Sequence, residues 1–375
     1  MLNKCSLFVL KMAKYVDHHS GRPLKARGAT SNAASTRYAP TIRETDGDWY
    51  DFIQQVDGSL PPVRTSVTPE RPRTIIARNS SPDIGFEQSI NAYRGCEHGC
   101  IYCFARPTHA WHDLSPGIDF ETKLFAKSDA AKLLERELSA RNYKVSPIAM
   151  GTNTDPYQPV ERDWRITRQC VEVLAQCRHP LLITTKSDRV LRDIELLGAM
   201  AADDLVAVGV SITSFDPVVA RTLEPRAPHP EKRLEAIRQL SQAGIFVAVC
   251  VSPIIPAITD GEMEHILERA AQAGAQTATF IPVRLPHEVA PLFRAWLETH
   301  YPDRAAKVMN IIRDMRGGRD NDPGFGSRMR GQGVWADLLR SRFTKAQRRY
   351  GLDSKRPPLR CDLFRPPAGP QLSLF

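Results

Sequence analysis

No apolar run in this 375-residue chain approaches the roughly 20 residues that a helix needs to span a bilayer, so no membrane partner is expected. The spacing of a secreted disulfide scaffold is also missing. Eight cysteines, at 5, 96, 100, 103, 170, 177, 250 and 361, are scattered apart from one knot. A reducing, cytoplasmic setting is therefore expected, and there clustered cysteines serve as metal ligands more often than as disulfides. The opening CSLFVL, between Lys4 and Lys11, has no small-residue cleavage site close behind it and reads as an ordinary start, not a signal peptide. Solenoid repeats are absent. Net charge is missing from the first 300 residues, where 35 Lys and Arg meet 35 Asp and Glu. The whole excess of +9 lies from Tyr301 onward, with 16 basic residues against 7 acidic ones. A basic quarter of this kind suits a polyanion such as nucleic acid, or an arginine-rich solvated surface.

What is present divides the chain into four stretches. Residues 1–75 are rich in Ser, Thr, Arg and Pro and are expected to form a largely irregular arm. Residues 76–288 alternate between apolar β-branched runs and amphipathic helices. The strands are SINAY (89–93), VSPIAM (145–150), PLLITT (180–185), LVAVGVSI (205–212), IFVAVCVS (245–252) and TATFIPV (277–283). Helices are expected over 128–142, capped by Ser128, and over 165–178, 188–202, 230–244 and 260–274, the last two ending in glycine. Six strand–helix units in a row predict a parallel sheet covered on both faces, too short for a full eight-stranded barrel and so an open, partial one. Residues 289–351 hold helices and no strands and form a basic helical extension. Residues 352–375 are a proline-rich, flexible tail.

The knot YRGCEHGCIYC (93–103) places Cys96, Cys100 and Cys103 on the loop directly after the first strand. In parallel α/β folds that is the end where sites form. The C-x3-C-x2-C spacing can bend three sulfurs onto one face of an iron–sulfur cubane, with Gly95 and Gly99 supplying the tight turns and one iron left open. Structural zinc, completed by His98, His109 or His112, is the other reading. The single tight run favours the cluster, because zinc loops usually come as two spaced pairs.

These residues resemble a known family. Cys96-x3-Cys100-x-Tyr102-Cys103 after a first strand is similar to the signature of radical S-adenosylmethionine (SAM) enzymes. TNTDPYQPVE (152–161) and LEPRAPHPEKRLEAI (223–237) resemble the branch of spore photoproduct lyase and its uncharacterised relatives, and the likeness covers about residues 80–290. It implies a partial (β/α)6 TIM barrel, a 4Fe–4S cluster on Cys96, Cys100 and Cys103, SAM on the open iron, and a flavodoxin- or ferredoxin-type electron donor. The implied chemistry is reductive cleavage of SAM to methionine and a 5′-deoxyadenosyl radical, which takes a hydrogen atom from substrate. On that basis Lys186 and Ser211 suit the methionine carboxylate or ribose. Tyr102 suits adenine through its backbone, and Asn153 and Asp155 suit the amino or ribose groups. One departure stands out. Spore photoproduct lyase uses a cysteine near the end of its second strand as a hydrogen donor, and MGTNTDPY holds none. Cys170, Cys177 and Cys250 read as packing residues.

The C-terminal quarter bears on the substrate. Loop 317–333 carries six glycines, with Arg316, Arg319, Arg328 and Arg330 among or beside them. Helix 334–351 adds Arg340, Arg342, Lys345, Arg348 and Arg349, with Trp335, Phe343 and Tyr350. The helix suits a nucleic-acid backbone, whereas the loop reads as folded over the open side of the barrel with its arginines paired. The chain closes on QLSLF after RPPAGP. This resembles the pentapeptide by which bacterial replication and repair proteins dock on the sliding clamp, with Gln371, Leu372, Leu374 and Phe375 as contacts. DNA is thus the favoured substrate. Modification of RNA or protein, and a non-catalytic zinc-stabilised nucleic-acid-binding protein, are the alternatives.

Overall fold

A computed structural model describes residues 26–33, 35, 37 and 64–367. The Gln371–Phe375 pentapeptide lies outside the described residues. Six parallel strands form the centre: β1 (Gln88–Ile90), β2 (Ile148–Met150), β3 (Leu181–Thr185), β4 (Val206–Ser211), β5 (Phe246–Ile254) and β6 (Thr277–Pro282). They lie side by side in chain order, and Ile76–Arg78 adds an antiparallel edge to β1. The pairing does not close from β6 back to β1, so this is the open, partial barrel that the six units predicted. Every residue of β4 is buried, as expected for a strand covered on both faces.

The returning helices are α1 (Ala130–Leu138), α2 (Ile166–Gln176), α3 (Ile194–Ala201), α4 (Pro230–Gln242) and α5 (Met263–Gln272). Their apolar faces meet the sheet in one core that includes Leu134, Leu138, Leu174, Leu197, Ile237, Leu240, Ile266 and Leu267. Helix α4 starts with Pro230 in its first turn and is capped by the His229 side chain, which accepts from the Glu231 N–H. Gly244 after α4 and Gly274 after α5 adopt φ of +78° and +100°, the left-handed stop their positions predicted. Ser128 is not the cap of α1. That helix begins at Ala130, whose N–H bonds instead to the Lys127 carbonyl.

Three longer helices follow the barrel among the described residues, α6 (Val289–His300), α7 (Pro302–Met315) and α8 (Gly333–Arg349), with a single turn at Ser327–Arg330 between the last two. Helices α6 and α7 build a second core from Phe293, Trp296, Val308 and Ile312, and this core also takes in Cys100, Ile101 and Tyr102. Helix α8 lies on α5 and β6. Its Phe343 ring meets Phe280 at 4.4 Å, and Arg342 grips Glu264 with two bonds of 2.8 and 2.7 Å. Both residues belong to the set expected to meet nucleic acid. They are structural instead, because the apolar stripe of α8 (Ala336, Leu339, Phe343, Ala346) turns that side to the barrel. Among the described residues no helix is long and apolar enough to cross a membrane.

The described part of the N-terminal stretch is tied to the barrel at two places. Ser66–Pro69 pairs in parallel with Lys123–Ala126, and residues 28–30 are buried.

Candidate iron–sulfur and SAM site

The cysteine loop leaves β1 through Tyr93–Arg94, which pairs with Lys123–Ala126. Gly95 and Gly99 hold φ of +75° and +66°. A Cβ on Gly95 would come within 2.8 Å of the Phe120 carbonyl, so glycine is required for both conformation and space. These turns separate Cys96, Cys100 and Cys103 on one compact loop. All three are free thiols, Cys96 and Cys100 buried and Cys103 half-buried.

Buried side chains fasten the loop: Gln158 accepts from the Glu97 N–H (2.8 Å) and donates to the Gly95 carbonyl (3.3 Å), and Arg106 holds the other end. Arg106 is fully buried and donates to the carbonyls of Cys100 (2.9 Å), Gly99 (3.1 Å), Pro116 and Gly117 (both 2.9 Å). Its charge is balanced by the equally buried Glu121 at 2.6 Å. The Glu121 carboxylate also accepts from the backbone N–H groups of Gly28 (3.1 Å) and Ala29 (2.9 Å). The N-terminal segment is thereby strapped across the cysteine loop. A Cβ on Gly28 would sit 1.9 Å from the Gly99 carbonyl oxygen, so the strap approaches as closely as backbone can.

A second buried network holds the aromatic residue of the motif. The Tyr102 hydroxyl donates to Glu224, which also accepts from Thr213 Oγ1 (2.7 Å) and pairs with Arg233 at 2.6 Å. Arg233 donates further to the carbonyls of Ser211 (3.1 Å) and Pro228 (2.9 Å). Burial alone would raise the Glu224 carboxyl, but Arg233, Lys186 and the two hydroxyls hold it down at about 2. Lys186, immediately after β3, sets its ammonium 5.8 Å from the Tyr102 ring centre. It is desolvated, yet Cys100, Glu224 and Asp155 around it raise its pKa. Among the described residues it forms no salt bridge, so its charge is available to an incoming carboxylate.

Asp155 and Asn153 lie on the loop after β2, and the two fare differently. The Asp155 carboxylate accepts from Thr185 Oγ1 (2.6 Å), the Tyr157 N–H (2.9 Å) and the Lys186 N–H (2.7 Å), and His98 Nδ1 stands 3.4 Å away. Burial opposes its charge, but His98 and these donors hold the group at about 2. These bonds tie the carboxylate to the ends of β2 and β3. Asn153 is exposed, and its N–H is held by Asn91 Oδ1 at 2.9 Å. Ser211, at the end of β4, is buried beside Arg233. Tyr102, Lys186, Ser211 and the cysteine loop are thus brought to one end of the barrel.

Among the described residues no histidine completes a zinc site. His109 Nε2 is 2.9 Å from the Lys123 carbonyl, the His112 ring lies 4.7 Å from that of Phe125, and His98 faces Asp155. Among the described residues no three His, Cys, Asp or Glu are arranged to hold a single metal ion. Three thiolates without a fourth protein ligand match the donor set of a cubane with an open iron. Burial raises the Cys96 thiol and pushes Cys100 up to about 12, with the Asp155 and Glu224 charges adding to the effect, so these thiols ionise only beside a cationic partner such as iron. The residues present therefore fit the cluster.

Sequence reasoning missed Arg106, Glu121, Glu224 and Arg233. Glu224 and Arg233 stand inside a stretch singled out for resemblance, and a carboxylate and a guanidinium in an otherwise apolar strand–helix repeat are the signal available. Nothing in the sequence marks Gly28 and Ala29.

The comparisons agree with the site. The model of the radical SAM superfamily matches residues 90–270. An uncharacterized protein of Mycobacterium tuberculosis strain H37Rv is 36% identical over 230 residues, 61% of this chain and 68% of its own. One of Methanocaldococcus jannaschii is 29% identical over 227 residues, 60% of this chain and 81% of its own. Among solved structures, a tyrosine-to-phenylalanine point mutant of spore photoproduct lyase superposes with a TM-score of 0.52 at 18% identity, covering 83% of this chain and 88% of that one. Spore photoproduct lyase complexed with dinucleoside spore photoproduct gives 0.51 at 18%, covering 83% and 86%. The partial barrel and its cysteine loop define a radical SAM fold. The chain belongs to the radical SAM superfamily: it is a radical SAM enzyme that shares the fold of spore photoproduct lyase, and the cofactors of that superfamily are a 4Fe–4S cluster and SAM.

Proposed function

We propose that this enzyme directs radical SAM chemistry at nucleic acid, with DNA the favoured substrate. The observation that carries the radical chemistry is the loop of three free thiols closed below by Arg106, with the unpaired Lys186 ammonium beside it. Cys96, Cys100 and Cys103 hold the cluster. When bound, cluster and SAM together supply a 5′-deoxyadenosyl radical. The chain's own residues do the positioning. Lys186 would pair with the methionine carboxylate, Ser211 and Asn153 would serve the ribose and amino groups, and the Tyr102 backbone would meet adenine. Asp155 orients the Lys186 backbone through its 2.7 Å bond. The second core, which takes in Ile101 and Tyr102, keeps water from the closed side of the site.

DNA is supported by three features: a fold shared over 83% of the chain with a lyase whose structure holds a dinucleoside lesion, the basic C-terminal quarter, and the QLSLF terminus as a sliding-clamp ligand. The end of β2 carries no cysteine, so hydrogen return to the product differs from that of spore photoproduct lyase. A flavodoxin- or ferredoxin-type protein supplies the electron.

The test is anaerobic. Reconstituted protein is reduced with SAM and deuterated DNA, undamaged or irradiated, and 5′-deoxyadenosine is examined for deuterium. Label from DNA supports the reading. Cleavage of SAM with label taken only from RNA or protein substrates moves the substrate class, and a colourless protein that holds zinc and leaves SAM intact ends it.

A further inference from the structure

Arg284 lies just past the end of β6, at the same mouth of the barrel as the cysteine loop. Its guanidinium is half-buried and has no carboxylate partner among the described residues. One nitrogen, Nη1, meets the Met329 sulfur at 3.3 Å, and the buried Nε makes no hydrogen bond. The nearby acid, Asp83, is spent: Arg328 grips both of its oxygens at 2.7 and 2.5 Å. Arg316, behind them, is spent on the carbonyls of Pro282, Val283, Ser327 and Arg328. Arg328 thus takes Asp83, Arg316 takes the carbonyls with Asp322 nearby, and Arg284 is the guanidinium left over. A half-buried cation without a partner costs stability, and such a cost is kept where a ligand repays it.

Two aromatic rings stand at this corner, one beside Arg284 and one beside Arg328, and both are too exposed to be core. Phe104, the residue after Cys103, is 49% exposed and lies 5.9 Å from the Arg284 guanidinium. Phe325 is 62% exposed and stacks on Arg328 at 4.7 Å. The same loop adds the exposed Arg319 and Arg330. An unpaired guanidinium binds an oxyanion, and open aromatic faces accept planar bases. Both beside the cysteine loop suit a nucleotide drawn out of its strand.

Resting on the nucleic-acid reading above, we propose that Arg284 binds a backbone phosphate of the substrate strand, with Phe104 and Phe325 as stacking faces for the adjoining bases. This makes the loop from Arg316 to Arg330 one wall of the substrate site, not merely a cover.

The experiment is anisotropy titration of a short fluorescent single-stranded DNA with cluster-loaded full chain, under anaerobic conditions and over a series of salt concentrations. Arg284→Gln is expected to weaken binding about tenfold and to flatten the slope of log K against log salt by about 0.7, the value for one lost phosphate contact on a single strand. Phe104→Ala and Phe325→Ala are expected to weaken binding by about fivefold or more. Arg238→Gln, which removes one charge on α4, leaves affinity and slope unchanged. The thermal midpoint of Arg284→Gln should stay close to or exceed wild type, because no carboxylate or carbonyl partner is lost and only the weak Met329 and Phe104 contacts go. An Arg284→Gln variant with wild-type affinity and slope overturns the subsite while the nucleic-acid reading stands. A wild-type holoenzyme that cleaves SAM but binds no oligonucleotide, or binds only acidic peptides, overturns both.

Discussion

At the residue scale, charge buried in pairs governs this site. Glu224 touches Tyr102, Thr213 and Arg233, and removing its charge strands Arg233 in the core. Glu224→Gln is expected to cost about 3–5 kcal/mol in urea unfolding, the range for breaking a buried pair. The sign of its pH dependence follows from a folded pKa of about 2 against an ordinary 4.5. The contribution is complete above pH 4.5 and is lost as pH falls toward 2. His179 acts earlier. Burial lowers it from 6.5 to about 4, and its ring nitrogens are held by Tyr143 (2.8 Å) and the Pro180 carbonyl (3.0 Å). Its contribution is whole above pH 6.5 and fades between 6.5 and 4, because the unfolded chain takes up the proton first. Urea midpoints measured over that interval should fall, and more gently in His179→Gln. Replacing Cys96, Cys100 or Cys103 by serine is expected to lower iron content and abolish the brown absorbance while leaving the far-ultraviolet dichroism of the barrel intact. The thiols themselves are plain in the sequence. Their buried counter-charges are not, since a Glu and an Arg nine residues apart carry no pairing information until a strand end and a helix bring them together.

At the scale of elements, the strap over the cysteine loop couples residues about 70 positions apart along the chain. Gly28→Ala drives a Cβ into the Gly99 carbonyl, which sits 1.9 Å from where that atom would be. The cost expected is about 1–3 kcal/mol, or else release of the strap and a faster loss of cluster to chelators. Timed iron release in the presence of a chelator distinguishes this from a change in the barrel, whose unfolding is followed separately. Helix α8 is a second case. Phe343→Ala empties a contact with Phe280 inside the main core and is expected to cost about 3–4 kcal/mol in urea unfolding. The periodicity of α8 gives the helix but not its inward side, because arginine and phenylalanine serve equally on a packed or a nucleic-acid face. Helices α1 to α5 and all six strands are legible, because apolar period and length are local properties.

At the scale of the whole molecule, loss of residues 371–375 is expected to abolish retention on the bacterial sliding clamp while leaving SAM cleavage as it was, since these residues follow a proline-rich linker. A pull-down beside a cleavage assay checks both halves. The sequence by itself determined the fold class, the order of strands and helices and the grouping of three cysteines on one loop. Each of these follows from spacing along one stretch of chain, where neighbouring residues obey fixed geometry. Only the tertiary structure decided what surrounds the sulfurs: the Arg106–Glu121 clamp, the Tyr102–Glu224–Arg233 network, the tied carboxylate of Asp155 and the unpaired guanidinium of Arg284. Those depend on which distant segments share a barrel mouth. A charge becomes a clamp, a lock or an open hand according to the partner that folding sets beside it.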